Sequence, residues 1–248
     1  MVDVIPPVFE WDHDPFPHLV IDNFFDEETA ILLSKEFPEY ESDAWNGNYN
    51  NALEIKKTCN VWDRFPTLTY SIIHQLNSLN VMGAKGDPGL HGGGWHIHER
   101  GGRLNPHIDY SIHPKLGLQR KYNLLVYLTE GWEESWGGHF GLWNKVPGNP
   151  VKTIVPVFNR AVIFDTTLNY HGLATEVKCP PGICRKSIAM YYLIEKEEHA
   201  RTHQRALFTA TMEQLAEEDQ SLGDSFLEDL IQRRSEIKNI DPNGWARK

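Results

Sequence analysis

A chain of 248 residues with 40% hydrophobic and 11% aromatic content is long enough for one large packed domain with extensions. Its formal net charge of −10 disfavours general nucleic-acid binding, which needs Lys and Arg clustered against phosphate. Three cysteines, Cys59, Cys179 and Cys184, argue against a disulfide scaffold and for a reducing, cytoplasmic setting; the N-terminus lacks the basic start and apolar centre of a secretory leader, and no apolar run nears the roughly 20 residues of a membrane span.

In chain order, His18-Leu19-Val20-Ile21 reads as a short strand. Asp26 reads as the N-cap of a helix through Leu32, Leu33 and Phe37, with Glu27 and Glu28 favourable in its first turn. Residues 41–60 are polar and rich in Asn, and read as loop. From Pro66 onward, Leu68, Ile72, Leu76 and Leu79 recur at helical spacing and predict a helix on the outside of a sheet. Residues 83–105 carry many glycines and predict a mobile lid that closes over a site when substrate binds. Runs at 122–128, 139–143, 161–165 and 187–194 then read as strands separated by Gly, Pro and Asn. Such strands, without strand–helix alternation, predict an antiparallel jelly roll. Residues 199–237 are charged and helical in pattern, with an apolar stripe of Leu222, Phe226, Leu227, Leu230 and Ile231. The expected organisation is a β domain over 1–198 with its supporting helices, and a helical extension over 199–248 packed on the core or in a homodimer contact.

The chemistry centres on His107-Ile108-Asp109. Residues two apart on a strand share a face, so this His and carboxylate can chelate one metal. His171, after the apolar strand 161–165, offers a third ligand. Two His and one carboxylate with the other positions open is the non-haem iron(II) arrangement. His96 and His98 also lie two apart, but without a carboxylate at strand spacing they read as wall or lid residues. Arg185 opens the last strand and shares a face with Ser187, Ala189 and Tyr191. At the mouth of a barrel such an Arg can fork onto a carboxylate, and Ser187 can add a hydroxyl.

With these residues, the run Arg120 to Leu128, Gly137-Gly138-His139-Phe140-Gly141-Leu142, Asn159 to Asp165, His171-Gly172, and Arg185 with Ile188 and Tyr191-Tyr192, the sequence resembles the prolyl-4-hydroxylase-like branch of the 2-oxoglutarate/iron(II) dioxygenases. The resemblance covers roughly residues 90–195. It implies a mainly β fold with flanking helices, a double-stranded β-helix, that couples decarboxylation of 2-oxoglutarate to hydroxylation of a peptidyl proline or a small molecule. It implies iron(II) held by His107, Asp109 and His171, with 2-oxoglutarate and O₂ as co-substrates, and it admits ascorbate as reductant. It assigns Arg185 to the distal carboxylate of 2-oxoglutarate, helped by Tyr127, with Ser187 and with Asn123 on the same inward face. His139 and Arg103, then Trp95, His98 and Trp143, are the expected substrate-side residues. The long loop carrying Cys179-Pro180-Pro181-Gly182 and His139, where an acidic residue is common, depart from the family pattern. Two other classes compete: a non-catalytic jelly-roll binding protein, which would not need both the triad and Arg185, and a cupin-type metalloenzyme, which would leave Arg185 and Ser187 without a role.

Overall fold

The computed structural model describes residues 10–167, 169–200, 202–203, 205–215 and 231–232. The strands are β1 (His18–Ile21), β2 (Gly47–Asn50), β3 (Glu54–Cys59), β4 (Asn80–Val81), β5 (Ala84–Gly86), β6 (Gly94–His98), β7 (Arg103–Leu104), β8 (His107–Ile108), β9 (Gln119–Tyr127), β10 (Phe140–Trp143), β11 (Lys152–Ile154), β12 (Ala161–Asp165), β13 (Tyr170–Leu173), β14 (Arg185–Ile194) and β15 (Leu207–Phe208). Two helices, α1 (Glu27–Glu36) and α2 (Thr67–Asn77), precede the central strands. From β6 onward the chain passes back and forth between two antiparallel sheets. The larger runs β1-β12-β9-β14-β6-β3-β2, and the smaller runs β11-β10-β13-β8-β15. This alternation is the jelly roll expected from the sequence. Among the described residues no helix is long and apolar enough to cross a membrane.

The strand period of two decides what each long strand does. Along β14, Ile188, Met190 and Tyr192 face the helices, while Arg185, Ser187 and Tyr191 face the space between the sheets. Along β9, Leu124 and Val126 face the helices, and Asn123 and Leu125 face inward. The helical side is the main core. Leu33 from α1, Phe37 just past its end, Ile72, Ile73 and Leu76 from α2, and Trp95 from β6 pack there. Asp26 caps α1 by accepting from the Thr29 amide at 2.9 Å. Between the sheets, Tyr127, Phe140, Leu142, Val162 and Phe164 form a smaller apolar cluster that gives way to a cavity.

Two expectations are corrected. Residues 41–60 are not all loop, because they contain β2 and β3. β3 is sequence-polar since one of its faces lines the cavity and β6 supplies its pairing, so no apolar alternation marks it. The segment 83–105 is no lid at its centre. β6 is an interior strand, hydrogen-bonded to β14 on one side and β3 on the other, with all five residues buried. The glycines around it serve turns and close approach. A Cβ on Gly94, whose φ is +81°, would lie 2.1 Å from the Cys59 carbonyl oxygen. At the C-terminal end, residues 207–208 form β15, which adds to the small sheet. Ile231 packs near Leu53 and Phe208. The rest of the predicted apolar stripe lies outside the described residues.

A strand held on both edges opens only with its neighbours. Amide hydrogen exchange of the ligand-free protein is therefore expected to leave residues 94–98 in the same slow class as residues 122–127. Fast exchange confined to 94–98 would restore the lid.

Candidate active site

β8 and β13 are antiparallel neighbours, and the residue opposite His171 is His107. Directly paired residues project to the same face, so the two imidazoles meet with ring centroids 4.5 Å apart. Asp109, two residues past His107, turns to the same point. Its Oδ1 lies 3.6 Å from His107 Nε2 and its Oδ2 3.4 Å from His171 Nε2. All three side chains are buried, and their ligand atoms lie within 4.8 Å of one another. His107 Nδ1 donates to the Asn105 carbonyl at 2.9 Å, which leaves the Nε2 lone pair for a metal. Burial alone would raise the Asp109 carboxyl, but His171, His107 and Arg120 together hold it well below the usual range. Burial, reinforced by His107, pushes His171 down despite Asp109. The triad therefore offers a carboxylate at Asp109 and a neutral imidazole at His171, beside the Nε2 of His107. This donor set suits iron(II), and the buried Asp109 Oδ2 has no hydrogen-bond partner of its own.

The triad lies on the wall of a cavity of about 140 Å³ between the sheets. Arg185 lines the same cavity, 3% exposed, with Nε donating to the Gly138 carbonyl at 2.8 Å and its guanidinium 4.8 Å from the Tyr127 ring centroid. Among the described residues no carboxylate pairs with it; burial lowers its pKa and only Tyr127 pulls the other way. A buried cation without a counterion is costly, and an anionic ligand in the cavity would offset that cost. Ser187 and Asn123 line the cavity as expected, and Asn123 Oδ1 is buried without a hydrogen-bond partner. Tyr127 sits behind Arg185, fully buried, and its hydroxyl lacks a partner too.

The substrate-side expectations fare unevenly. His98 lines the cavity beside His96. Burial, then nearby Lys56 and Arg185, drives His96 down to about 3 and His98 well below its ordinary value, so both present neutral rings. Trp95, next to His96, points the opposite way into the helical core, because successive strand residues alternate faces. Its ring packs on Phe37, Trp45 and Phe65. Arg103 pairs with Glu176 at 3.0 Å and, like Trp143, faces a separate surface cleft. His139 Nε2 lies 3.0 Å from the Glu134 carbonyl, away from the cavity wall. The polar residues that do line the wall include Glu54, Lys56 and Thr58 of β3, and Arg205 and Phe208 arrive from the C-terminal segment. Phe208 stacks on His107, with centroids 4.9 Å apart and planes at 23°. None of these carried a readable signal, since each depends on which strand its own strand pairs with.

Arg120 was missed for a different reason. Simple alternation from Asn123 points Lys121 inward. Instead, Tyr192 and Leu193 of β14 are opposite Tyr122 and Arg120, leaving Lys121 as the extra residue of a bulge. The bulge turns Arg120 into the cavity, where Nη1 lies 3.6 Å from Asp109 Oδ1, and sends Lys121 out to Asp165 at 3.0 Å.

Residues 93–193 match the sequence pattern of the 2OG-Fe(II) oxygenase superfamily. No curated protein matches the chain by sequence. Among solved structures, a prolyl-4-hydroxylase from Pseudomonas putida superposes with TM-score 0.53 at 15% identity, covering 72% of this chain and 92% of that one. A Trichoplax adhaerens prolyl hydroxylase in complex with a hypoxia inducible factor peptide fragment gives 0.49 at 19% identity, covering 71% and 83%. HygX from Streptomyces hygroscopicus, with nickel, 2-oxoglutarate and hygromycin B bound, gives 0.44 at 10%, covering 71% and 82%. The first of these shares the jelly-roll fold. The matched superfamily uses iron(II), 2-oxoglutarate and O₂.

Titration with Mn(II), followed by electron paramagnetic resonance, is expected to show one bound ion per chain. His107→Ala, Asp109→Ala and His171→Ala should each lose it, and a variant that keeps wild-type affinity removes that residue from the ligand set.

Proposed function

We propose that this protein, whose residues 93–193 are those of a 2OG-Fe(II) oxygenase, hydroxylates a compact polar substrate with iron(II) held by His107, Asp109 and His171. The observation that carries the reading is the convergence, in one cavity, of that triad with Arg185, a buried cation lacking a protein counterion. A lone HxD pair is common and a lone buried Arg ambiguous. Iron(II) at the triad and a dicarboxylate co-substrate at Arg185 would give both a role at once.

Bound iron(II) supplies the site where 2-oxoglutarate and O₂ meet, so that loss of CO₂ and formation of succinate accompany oxidation of the substrate. The chain's own residues bind, orient and shield. Arg185 would hold the distal carboxylate by charge-assisted hydrogen bonds, with the Tyr127 ring packed behind its guanidinium. Ser187 Oγ and Asn123 border the same space. The Asn105 carbonyl keeps the His107 proton on Nδ1. Phe140, Phe164 and Phe208 keep water from the triad's flanks. His98, neutral by burial and with both ring nitrogens unpartnered, can donate and accept toward a polar substrate; His96, whose Nε2 donates to the Gly92 carbonyl, can accept through Nδ1, and Lys56 and Glu54 add one charge of each sign.

A small substrate is preferred to a peptide because the free edge of β8 is taken. β15 pairs there, with Leu207 opposite Ile108 and Phe208 opposite His107, where an extended peptide would otherwise add as a strand. Ser111 and His203 extend the contact, with the Ser111 amide donating to the His203 carbonyl and the His203 amide donating to Ser111 Oγ, both at 2.9 Å. Ascorbate as reductant and a cytoplasmic location belong to the same proposal.

Anaerobic iron(II) with 2-oxoglutarate should give a weak visible charge-transfer band, absent in His171→Ala. In Arg185→Ala the 2-oxoglutarate needed to form the band should rise about thirtyfold or more, since truncating a buried charge-assisted pair costs roughly 2–5 kcal/mol. An unchanged requirement would dismiss Arg185 as the anchor. Succinate formation is expected to be stimulated by members of a panel of small polar molecules and not by proline-containing peptides; stimulation by the peptides alone would reverse the substrate preference.

A further inference from the structure

Beside the triad lies a second buried group of two histidines and a carboxylate. Asp87, His91 and His113 are 1%, 9% and 2% exposed, and their ligand-type atoms also lie within 4.8 Å of one another. Its hydrogen bonding is not that of a metal site. His113 Nδ1 accepts from the Lys115 amide at 3.2 Å and the Leu116 amide at 3.1 Å. The proton of the neutral ring therefore sits on Nε2, which lies 2.9 Å from His91 Nδ1 and 3.3 Å from Asp87 Oδ1. A metal would need the lone pair that this proton occupies. Both Asp87 oxygens are engaged as well, Oδ1 by the Gly89 amide at 2.8 Å and Oδ2 by the His91 amide at 3.0 Å.

These bonds fix the backbone of a tight turn. The Leu90 amide donates to the Asp87 carbonyl at 3.1 Å, and Leu90 itself takes φ +48°, a conformation such a side chain resists. The turn presents the His91 carbonyl to the cavity wall, where it accepts from Arg120 Nη2 and, at 3.2 Å, from the Tyr110 hydroxyl. Arg120 is held flat between Tyr110 and Tyr191, its guanidinium carbon 3.5 and 3.3 Å from the ring centroids. The other end of that guanidinium faces Asp109. We propose that Asp87, His91 and His113 are a positioning network that acts through the His91 carbonyl and Arg120 to aim the Asp109 carboxylate at the metal.

The inference rests on Asp109 being a ligand, and Mn(II) affinity of the full chain, read by electron paramagnetic resonance, tests both separately. Asp87→Asn and Arg120→Gln should each weaken Mn(II) binding by about tenfold to a hundredfold, the usual effect of losing a group that orients a ligand. Because they act through one chain of contacts, the double variant should be no weaker than the weaker single variant. Independent, multiplying losses would overturn the proposal. So would unchanged affinity in Asp87→Asn alongside lost binding in Asp109→Ala, or a second bound ion in the wild type that Asp87→Asn removes. Should Asp109→Ala itself keep wild-type affinity, the ligand assignment fails rather than the network. If thermal melting shows Asp87→Asn unfolded, His113→Leu takes its place with the same expectations.

Discussion

The pairing of β8 with β13 is the contact on which the rest of the site depends. It joins two very short segments far apart in the chain and sets His107 directly opposite His171. A one-residue slip would turn one imidazole to the other face, since side chains alternate with period two. The register is guarded from both sides. β10 pairs with β13 along four residues, and β15 pairs with β8 on its far edge. A two-residue strand such as β8 could not hold its own register, so the small sheet holds it.

The two buried arginines of the cavity show how one charge type serves two purposes. Arg120 faces Asp109, donates to the His91 carbonyl and is sandwiched by two tyrosine rings. It is part of the scaffold. Arg185 is buried to a similar degree but has a tyrosine and a carbonyl for neighbours. Among the described residues no carboxylate offsets the desolvation of Arg185, and that difference sets it apart from Arg120.

The C-terminal segment turns an edge of the jelly roll into part of the cavity. Asn105 donates to the Thr209 carbonyl and to Gln214, Gln214 donates in turn to the Ala52 carbonyl, and Phe208 covers His107. An exposed strand edge beside His107 would invite pairing by other chains. Here the protein closes that edge itself, and the same closure narrows what can reach the triad.

Sequence alone determined the features that follow from local rules. The N-cap at Asp26, the spacing of α2, the apolar runs of β9, β12 and β14, and the shared face of His107 with Asp109 and of Arg185 with Ser187 all come from periods of 3.6 or 2 within one segment. Motif order added His171 and the jelly roll. Tertiary structure decided what those periods cannot encode. The polar β3 became a strand because β6 and the cavity needed one there, and glycines that suggested a lid proved to be turns around an interior strand. Trp95 went to the core while its neighbour His96 went to the cavity, since only the fold says which face is which. One extra residue at Lys121 turned Arg120 into the cavity, against simple alternation from Asn123. Asp87 and His91 share the turn between β5 and β6, but His113 lies between β8 and β9, and no spacing rule links it to residues that it meets only because those strands are assembled around them.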